Sequence, residues 1–300
     1  MISVVGPGGV GGLLAGLLRR AGIETVVVAR EATARRIATD GLTIESAGYG
    51  TFHVDVPTAT DVPRGSAAIV TVKGYGLADV LPGLAAARPA EVLTLLNGVS
   101  HADLVHAALD GPAGGRVACG SVGVVSARGP DGVIEHRSGS AVVTAHAGTA
   151  DWEVMRALDA AGVTVHSRGT ETEVLWRKLR FLSPMALLTA WTDLPIGAAL
   201  RADPATTDGV VREVAAVAGA AGVPTSFEDL RADLFAIHPA MTTSLQLDVR
   251  RRGPNELDVL GTRIIELGAT YGVDTPYLQR VVDAIGARVD GAGTGSARSL

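Results

Sequence analysis

Gly6, Gly8 and Gly11 stand in the spacing GxGxxG directly behind the apolar run Ile2 to Val5. Such a run suits a strand buried on both faces, and glycines at that spacing behind it suit phosphate. Gly6 permits a tight turn, Gly8 with Gly9 and Val10 leaves the backbone open to a pyrophosphate, and Gly11 lets the next helix press on the strand. Leu13, Leu14, Leu17 and Leu18 give that helix a core face, and Gly22 ends it before a second strand, Glu24 to Ala29. In a βαβ unit of this kind the adenosine ribose lies at the end of the second strand, and Arg30 occupies that place. A carboxylate there suits a free 2′-hydroxyl, whereas a guanidinium suits a 2′-phosphate. Arg35 and Arg36 add charge from the next helix, so NADP is favoured over NAD, and over a merely solvated surface arginine.

Two lysines and an asparagine extend the polar set. Lys73 ends an apolar strand, Ala67 to Val72, and Asn97-Gly98 ends another, Val92 to Leu96. Helices between these strands, Leu77 to Ala87 with Pro82 inside it and His101 to Leu109, imply a parallel sheet with right-handed crossovers. Ligands bind outside the carboxyl ends of such sheets, so Gly6, Arg30, Lys73 and Asn97 are expected to converge on one crevice. Further on, Thr170 and Glu173 form a capping box that starts a helix. Lys178 lies on its otherwise apolar face with Leu182 and Ala186. It is either a stem that snorkels to water or a desolvated ammonium placed to give up a proton.

These residues require two structural halves. Residues 1–167 read as a Rossmann-type nucleotide-binding domain, including strand-rich segments from 115 to 147 that are expected to extend the sheet. Residues 168–290 read as an all-helical substrate and dimerisation domain, with Pro184 expected to kink its first helix. Thr225 with Glu228 reads as a second capping box, Thr275-Pro276 as N-cap and N1, and Asn255 to Tyr271 as a helix with Glu256 in its first turn. The small, polar residues 291–300 are expected to be a disordered tail.

Composition narrows the classes. Three hundred residues imply about two domains. A net charge of −5 gives no argument for nucleic acid or a membrane surface, and no segment has the long uncharged span of a membrane helix. The single Cys119 reads as a reduced core residue of a cytoplasmic protein. The seven histidines show no metal spacing, so no metal is expected.

The order of these motifs, with Trp176 to Leu179, Ser244 to Asp248 and Glu256-Leu257-Asp258, resembles the ketopantoate reductase family over nearly the whole chain. The resemblance implies that Lys178 is the general acid and that Glu256 holds the product hydroxyl and orients the substrate. It further implies that Ser244 binds the substrate carboxylate with Asp248 in support, and that Lys73 and Asn97 lie near cofactor and substrate. Family members place asparagines where this chain has Leu182, Ala186 and Ile196. A pocket without those amides is expected to bind ketopantoate poorly and to suit a larger or more apolar substrate, flanked by Phe181, Met185 or Trp191. Three readings follow: an NADPH-dependent reductase of a diverged carbonyl or imine substrate, ketopantoate reductase itself, and a non-catalytic NADP-binding redox sensor. Lys178 together with Glu256 argues against the third.

Overall fold

The computed structural model describes residues 1–110 and 115–290, so the tail expected at 291–300 lies outside the described residues. Residues cluster into two compact units, Met1–Leu96 with His101–Val174, and Asn97–Ser100 with Leu175 onward.

The first unit is built on a six-stranded, all-parallel sheet. Its elements begin with β1 (Ile2–Val5), α1 (Gly9–Arg20), β2 (Thr25–Val28) and α2 (Glu31–Asp40). There follow β3 (Leu42–Ser46), β4 (Gly50–Val54), β5 (Thr58–Ala59), β6 (Ala67–Val70), α3 (Leu77–Ala87), β7 (Glu91–Thr94), α4 (His101–Leu109) and β8 (Arg116–Cys119). The order across the sheet, β5-β2-β1-β6-β7-β8, reverses direction between β1 and β6. That reversal is the switch point at which open α/β sheets bind ligands. Four fully buried leucines of α1, Leu13, Leu14, Leu17 and Leu18, pack into the core with Ile2, Val4 and Val27. Each is worth roughly 1.5–3 kcal/mol of burial.

The segments after β8 do not extend this sheet as expected. The chain leaves it at Gly120, whose N–H makes a last bond to Thr94 O at 2.8 Å. β9 (Ser121–Gly123), β12 (Val142–Ala145) and β13 (Thr164–Ser167) form a separate three-stranded sheet. β10 (Ser126–Arg128) and β11 (Ile134–His136) join β3 and β4 in a four-stranded one. The reason is α1: a Cβ on Gly12 or Gly16 would collide with Ile134 or Ile44, so the helix carries a glycine face that seats the small sheet. α5 (Glu153–Ala160) precedes β13.

The second unit is helical, with α6 (Glu171–Thr192), α7 (Ile196–Ala202), α8 (Pro204–Ala220), α9 (Phe227–Ala236), α10 (Ser244–Arg250), α11 (Arg263–Tyr271) and α12 (Pro276–Asp290). The unit boundary falls within α6, after Val174. The Thr170–Glu173 capping box forms reciprocally: Glu173 N–H donates to Thr170 Oγ1 at 3.2 Å, and Thr170 N–H donates to Glu173 Oε2 at 2.8 Å. Pro184 does not interrupt α6. The cap of α9 is Ser226, one residue after the expected Thr225, and its Oγ accepts from Asp229 N–H. A turn of π-helix, Asp258–Thr262, stands where the sequence implied ordinary helix.

Candidate active site

Two constellations hold the predicted residues, one in each unit. In the first, β1 runs straight into the glycine turn. Gly6 sits at φ +90°, a conformation that favours glycine, and a Cβ there would approach Val72 Cγ1 to 2.7 Å. A Cβ on Gly11 would strike the Gly6 carbonyl oxygen and Thr71 Oγ1, so Gly11 sets how closely α1 approaches β1 and the end of β6. Gly8 is different. Nothing lies within 4 Å of where its Cβ would be, and as N-cap of α1 it places no side chain over the first-turn N–H groups of Gly9, Val10 and Gly11. An open, uncapped helix start behind a tight turn fits a dinucleotide pyrophosphate.

Arg30 is the N-cap residue of α2, and its side chain is 87% exposed. Its Nη2 pairs with Asp79 Oδ2 on α3 at 3.1 Å. Arg35 pairs with Glu31 one turn back, at 3.2 Å. Lys73 is exposed at the start of a short 3₁₀ turn, Gly74–Gly76, three residues beyond β6. A further cation escaped the sequence reading: Arg128, at the end of β10, donates from Nη1 to Pro7 O in the glycine turn at 3.1 Å. Burial pulls its guanidinium pKa down, and the nearby charge of Arg36 adds to that. The only sequence signal for Arg128 was its place before the turn Gly129-Pro130-Asp131-Gly132, which reveals nothing of its neighbour in space.

In the second unit three polar side chains are strung together. Lys178 Nζ donates to Asn97 Oδ1 at 2.8 Å, and Asn97 Nδ2 donates to Glu256 Oε2 at 3.0 Å. The amide therefore faces an ammonium with its oxygen and a carboxylate with its nitrogen, an orientation those charges impose. Each member is positioned by a different local device. Lys178 is half-buried about two turns into α6. Asn97 precedes Gly98, which adopts φ +83° and lies so close to Val259 that a Cβ would collide with it. Glu256 is only 4% exposed and sits just before the π-helical turn. That turn is tied to α6, because Ser183 Oγ donates to Leu260 O at 2.7 Å and Gly261 packs against Leu187. π-turns recur at functional sites, and this one sets the direction in which the chain leaves Glu256.

The other expected substrate residues are placed differently. Ser244 is exposed at the first position of α10, whose N-cap is Thr243, and it does not join the Lys178–Asn97–Glu256 chain. Asp248 is half-buried one turn later. Leu182 is half-buried one turn from Lys178. Ala186 and Ile196 are 1% and 0% exposed and belong to the helical core. Phe181 and Trp191 pack partly buried against that core.

A third cluster lies within the first unit. His106 on α4, Cys119 at the end of β8 and Glu171 at the start of α6 bring their donor atoms within 4.8 Å of one another. Burial, with Glu171 as the second influence, pushes the Cys119 thiol up to about 12, so it is no thiolate nucleophile near neutral pH. Among the described residues no helix is long and apolar enough to cross a membrane.

Comparison with known proteins agrees with this architecture. The family model described as "Ketopantoate reductase PanE/ApbA" matches residues 2–148, and that described as "Ketopantoate reductase PanE/ApbA C terminal" matches residues 172–289. No curated protein matches the sequence significantly. Among solved structures, a PanE/ApbA family ketopantoate reductase from Ralstonia eutropha JMP134 is 26% identical with a TM-score of 0.86, over 98% of this chain and 100% of that one. A 2-dehydropantoate 2-reductase from Methylococcus capsulatus is 22% identical with a TM-score of 0.82, over 100% of this chain and 98% of that one. D-mandelate dehydrogenase in ternary complex with NADH and anilino(oxo)acetate is 19% identical with a TM-score of 0.85, over 98% of this chain and 100% of that one. With both family models covering most of its length, the chain belongs to the ketopantoate reductase family of oxidoreductases.

Proposed function

We propose that this protein is an NADPH-dependent reductase of a small carbonyl compound, a 2-keto acid or the corresponding imine, with a substrate diverged from ketopantoate. The observation that carries the reading is the hydrogen-bonded chain Lys178–Asn97–Glu256 in a member of this family. Reduction of a carbonyl needs a hydride, a proton and stabilisation of the developing oxyanion. The nicotinamide, when bound, supplies the hydride. Gly6, Gly8, Gly9, Val10 and Gly11 would hold the pyrophosphate, and Arg30 the 2′-phosphate. Lys178 holds the proton on Nζ and delivers it to the substrate oxygen. Asn97 keeps that ammonium in place by accepting one of its N–H bonds. Glu256 braces the amide from the far side and accepts from the product hydroxyl. Ser244 takes the substrate carboxylate, supported by Asp248.

Divergence from ketopantoate is supported by the apolar side chain at one asparagine position, Leu182, since Ala186 and Ile196 are closed into the helical core. Leu182 next to Lys178 offers a substrate methyl groups rather than donors. D-mandelate dehydrogenase, of the same fold, is known with anilino(oxo)acetate, whose body is aromatic. Steady-state NADPH oxidation with ketopantoate and with 2-keto acids of larger apolar side chain tests the reading. An apolar 2-keto acid is expected to exceed ketopantoate in kcat/KM, and Leu182→Asn to improve ketopantoate. An asparagine at 186 is no fair test, because an unpaired amide buried there costs about 1–3 kcal/mol. Native kcat/KM for ketopantoate of about 10⁴ M⁻¹s⁻¹ or more would make the protein an ordinary ketopantoate reductase.

A further inference from the structure

We propose that His106, Cys119 and Glu171 form a binding site for a zinc-class divalent cation within the first unit. An imidazole, a thiolate and a carboxylate are a borderline-soft donor set of the kind zinc takes, and three protein ligands leave a fourth position for water. The three come from separate elements, α4, β8 and α6, which is why no spacing in the sequence announces them. Their donor atoms lie within 4.8 Å of one another, with His106 Nε2 and Glu171 Oε1 already at 2.9 Å. The edges of a tetrahedral zinc site measure roughly 3.3–3.7 Å, so closing it takes shifts of the donor atoms of about 1 Å.

The surroundings are arranged as a metal site's are. Asp110 Oδ2 lies 2.8 Å from His106 Nδ1, which turns the other ring nitrogen toward Glu171 and Cys119. A carboxylate behind a ligating histidine in this way fixes the ring and raises its basicity. Cys119 N–H donates to Glu171 Oε2 at 2.6 Å, so the carboxylate is anchored by one oxygen and presents the other. Cys119 is buried, whereas the His106 and Glu171 side chains are 32% and 22% exposed. An ion therefore has an open approach on the side of the imidazole and carboxylate and a closed floor at the sulfur. On binding, the cation replaces the proton between His106 Nε2 and Glu171 and displaces the thiol proton to solvent. No electron transfer is involved.

Cobalt(II) is the probe, added to the chelator-treated full chain. The expected result is one ion per chain, with a thiolate-to-cobalt absorption band and the intense visible bands of tetrahedral cobalt, all displaced by one equivalent of zinc. Cys119→Ser should abolish the thiolate band, and His106→Gln should weaken binding at least tenfold. Asp110→Asn should weaken it 10- to 100-fold while leaving the band in place at saturation. No stoichiometric binding overturns the proposal. So does a cobalt spectrum unchanged in folded His106→Gln, or a thiolate band that survives in folded Cys119→Ser.

Discussion

Removing the amide of Asn97 should damage stability and turnover through different partners. Asn97→Ala deletes two bonds at once, the 2.8 Å bond from Lys178 and the 3.0 Å bond to Glu256. Bonds to charged groups contribute about 1.5–3 kcal/mol each. The two losses are unequal. Lys178 is half-buried, so water replaces its lost acceptor cheaply, whereas Glu256 at 4% exposure is shielded from water and carries the larger share of the loss. A loss of about 2–3 kcal/mol in unfolding free energy is therefore expected, nearly all of it from the carboxylate side. Urea unfolding of the four-member cycle formed by wild type, Asn97→Ala, Glu256→Gln and the double variant isolates that share, with a coupling of at least 1 kcal/mol expected. Turnover should fall as well, about tenfold to 10²-fold, because an ammonium displaced by 1 Å from its acceptor no longer meets the substrate oxygen squarely. A cost for Asn97→Ala below about 0.5 kcal/mol, or an equal cost in the Glu256→Gln background, would refute this role for the amide.

Two further outcomes follow from charges elsewhere. Arg30→Ser should weaken NADPH by about tenfold to 10²-fold with little change for NADH, since only the former offers a phosphate to the guanidinium. Asp79→Asn, which removes the exposed partner of Arg30, should tighten NADPH, and equal affinities for both cofactors in the native protein, read by nicotinamide fluorescence, would remove the argument. Glu213 accepts from Tyr277 and Leu278 N–H at the start of α12, and burial pushes its pKa up against the lowering effect of those bonds. Because the folded state holds this proton more tightly than the unfolded chain, its contribution is present below the ordinary carboxylate range and lost as pH rises through the raised value. Glu213→Gln should thus lower Tm at every pH by one lost bond and flatten the fall in Tm from pH 4.5 to 7; an unchanged slope would contradict the assignment.

Much of the scaffold could be read from local pattern. The glycine turn, the boundaries of α3 and α4, and the Thr170–Glu173 box each depend on residues within a few positions of one another. Most of what local pattern does not encode involves distance. The separate small sheets exist because Gly12 and Gly16 of α1 admit Ile134 and Ile44, contacts that no run of alternating residues encodes. Asn97 clusters with the helical unit although it follows a strand of the sheet, and its bond to Lys178 spans 81 positions. The π-turn after Glu256 is held by Ser183, 77 positions from Leu260, so periodicity alone predicted plain helix there. Arg128 and the His106–Cys119–Glu171 group were hidden for the same reason.

Lys178 as the proton donor is the centre of the proposed chemistry. Measured with NADPH and the best 2-keto acid substrate, Lys178→Ala should lower kcat by about 10² to 10⁴, the loss expected for a general acid. NADPH affinity, titrated by nicotinamide fluorescence on the same variant, should stay within about twofold of the native value, since the phosphates and ribose are held by other residues. Turnover near the native level in folded Lys178→Ala would contradict the account.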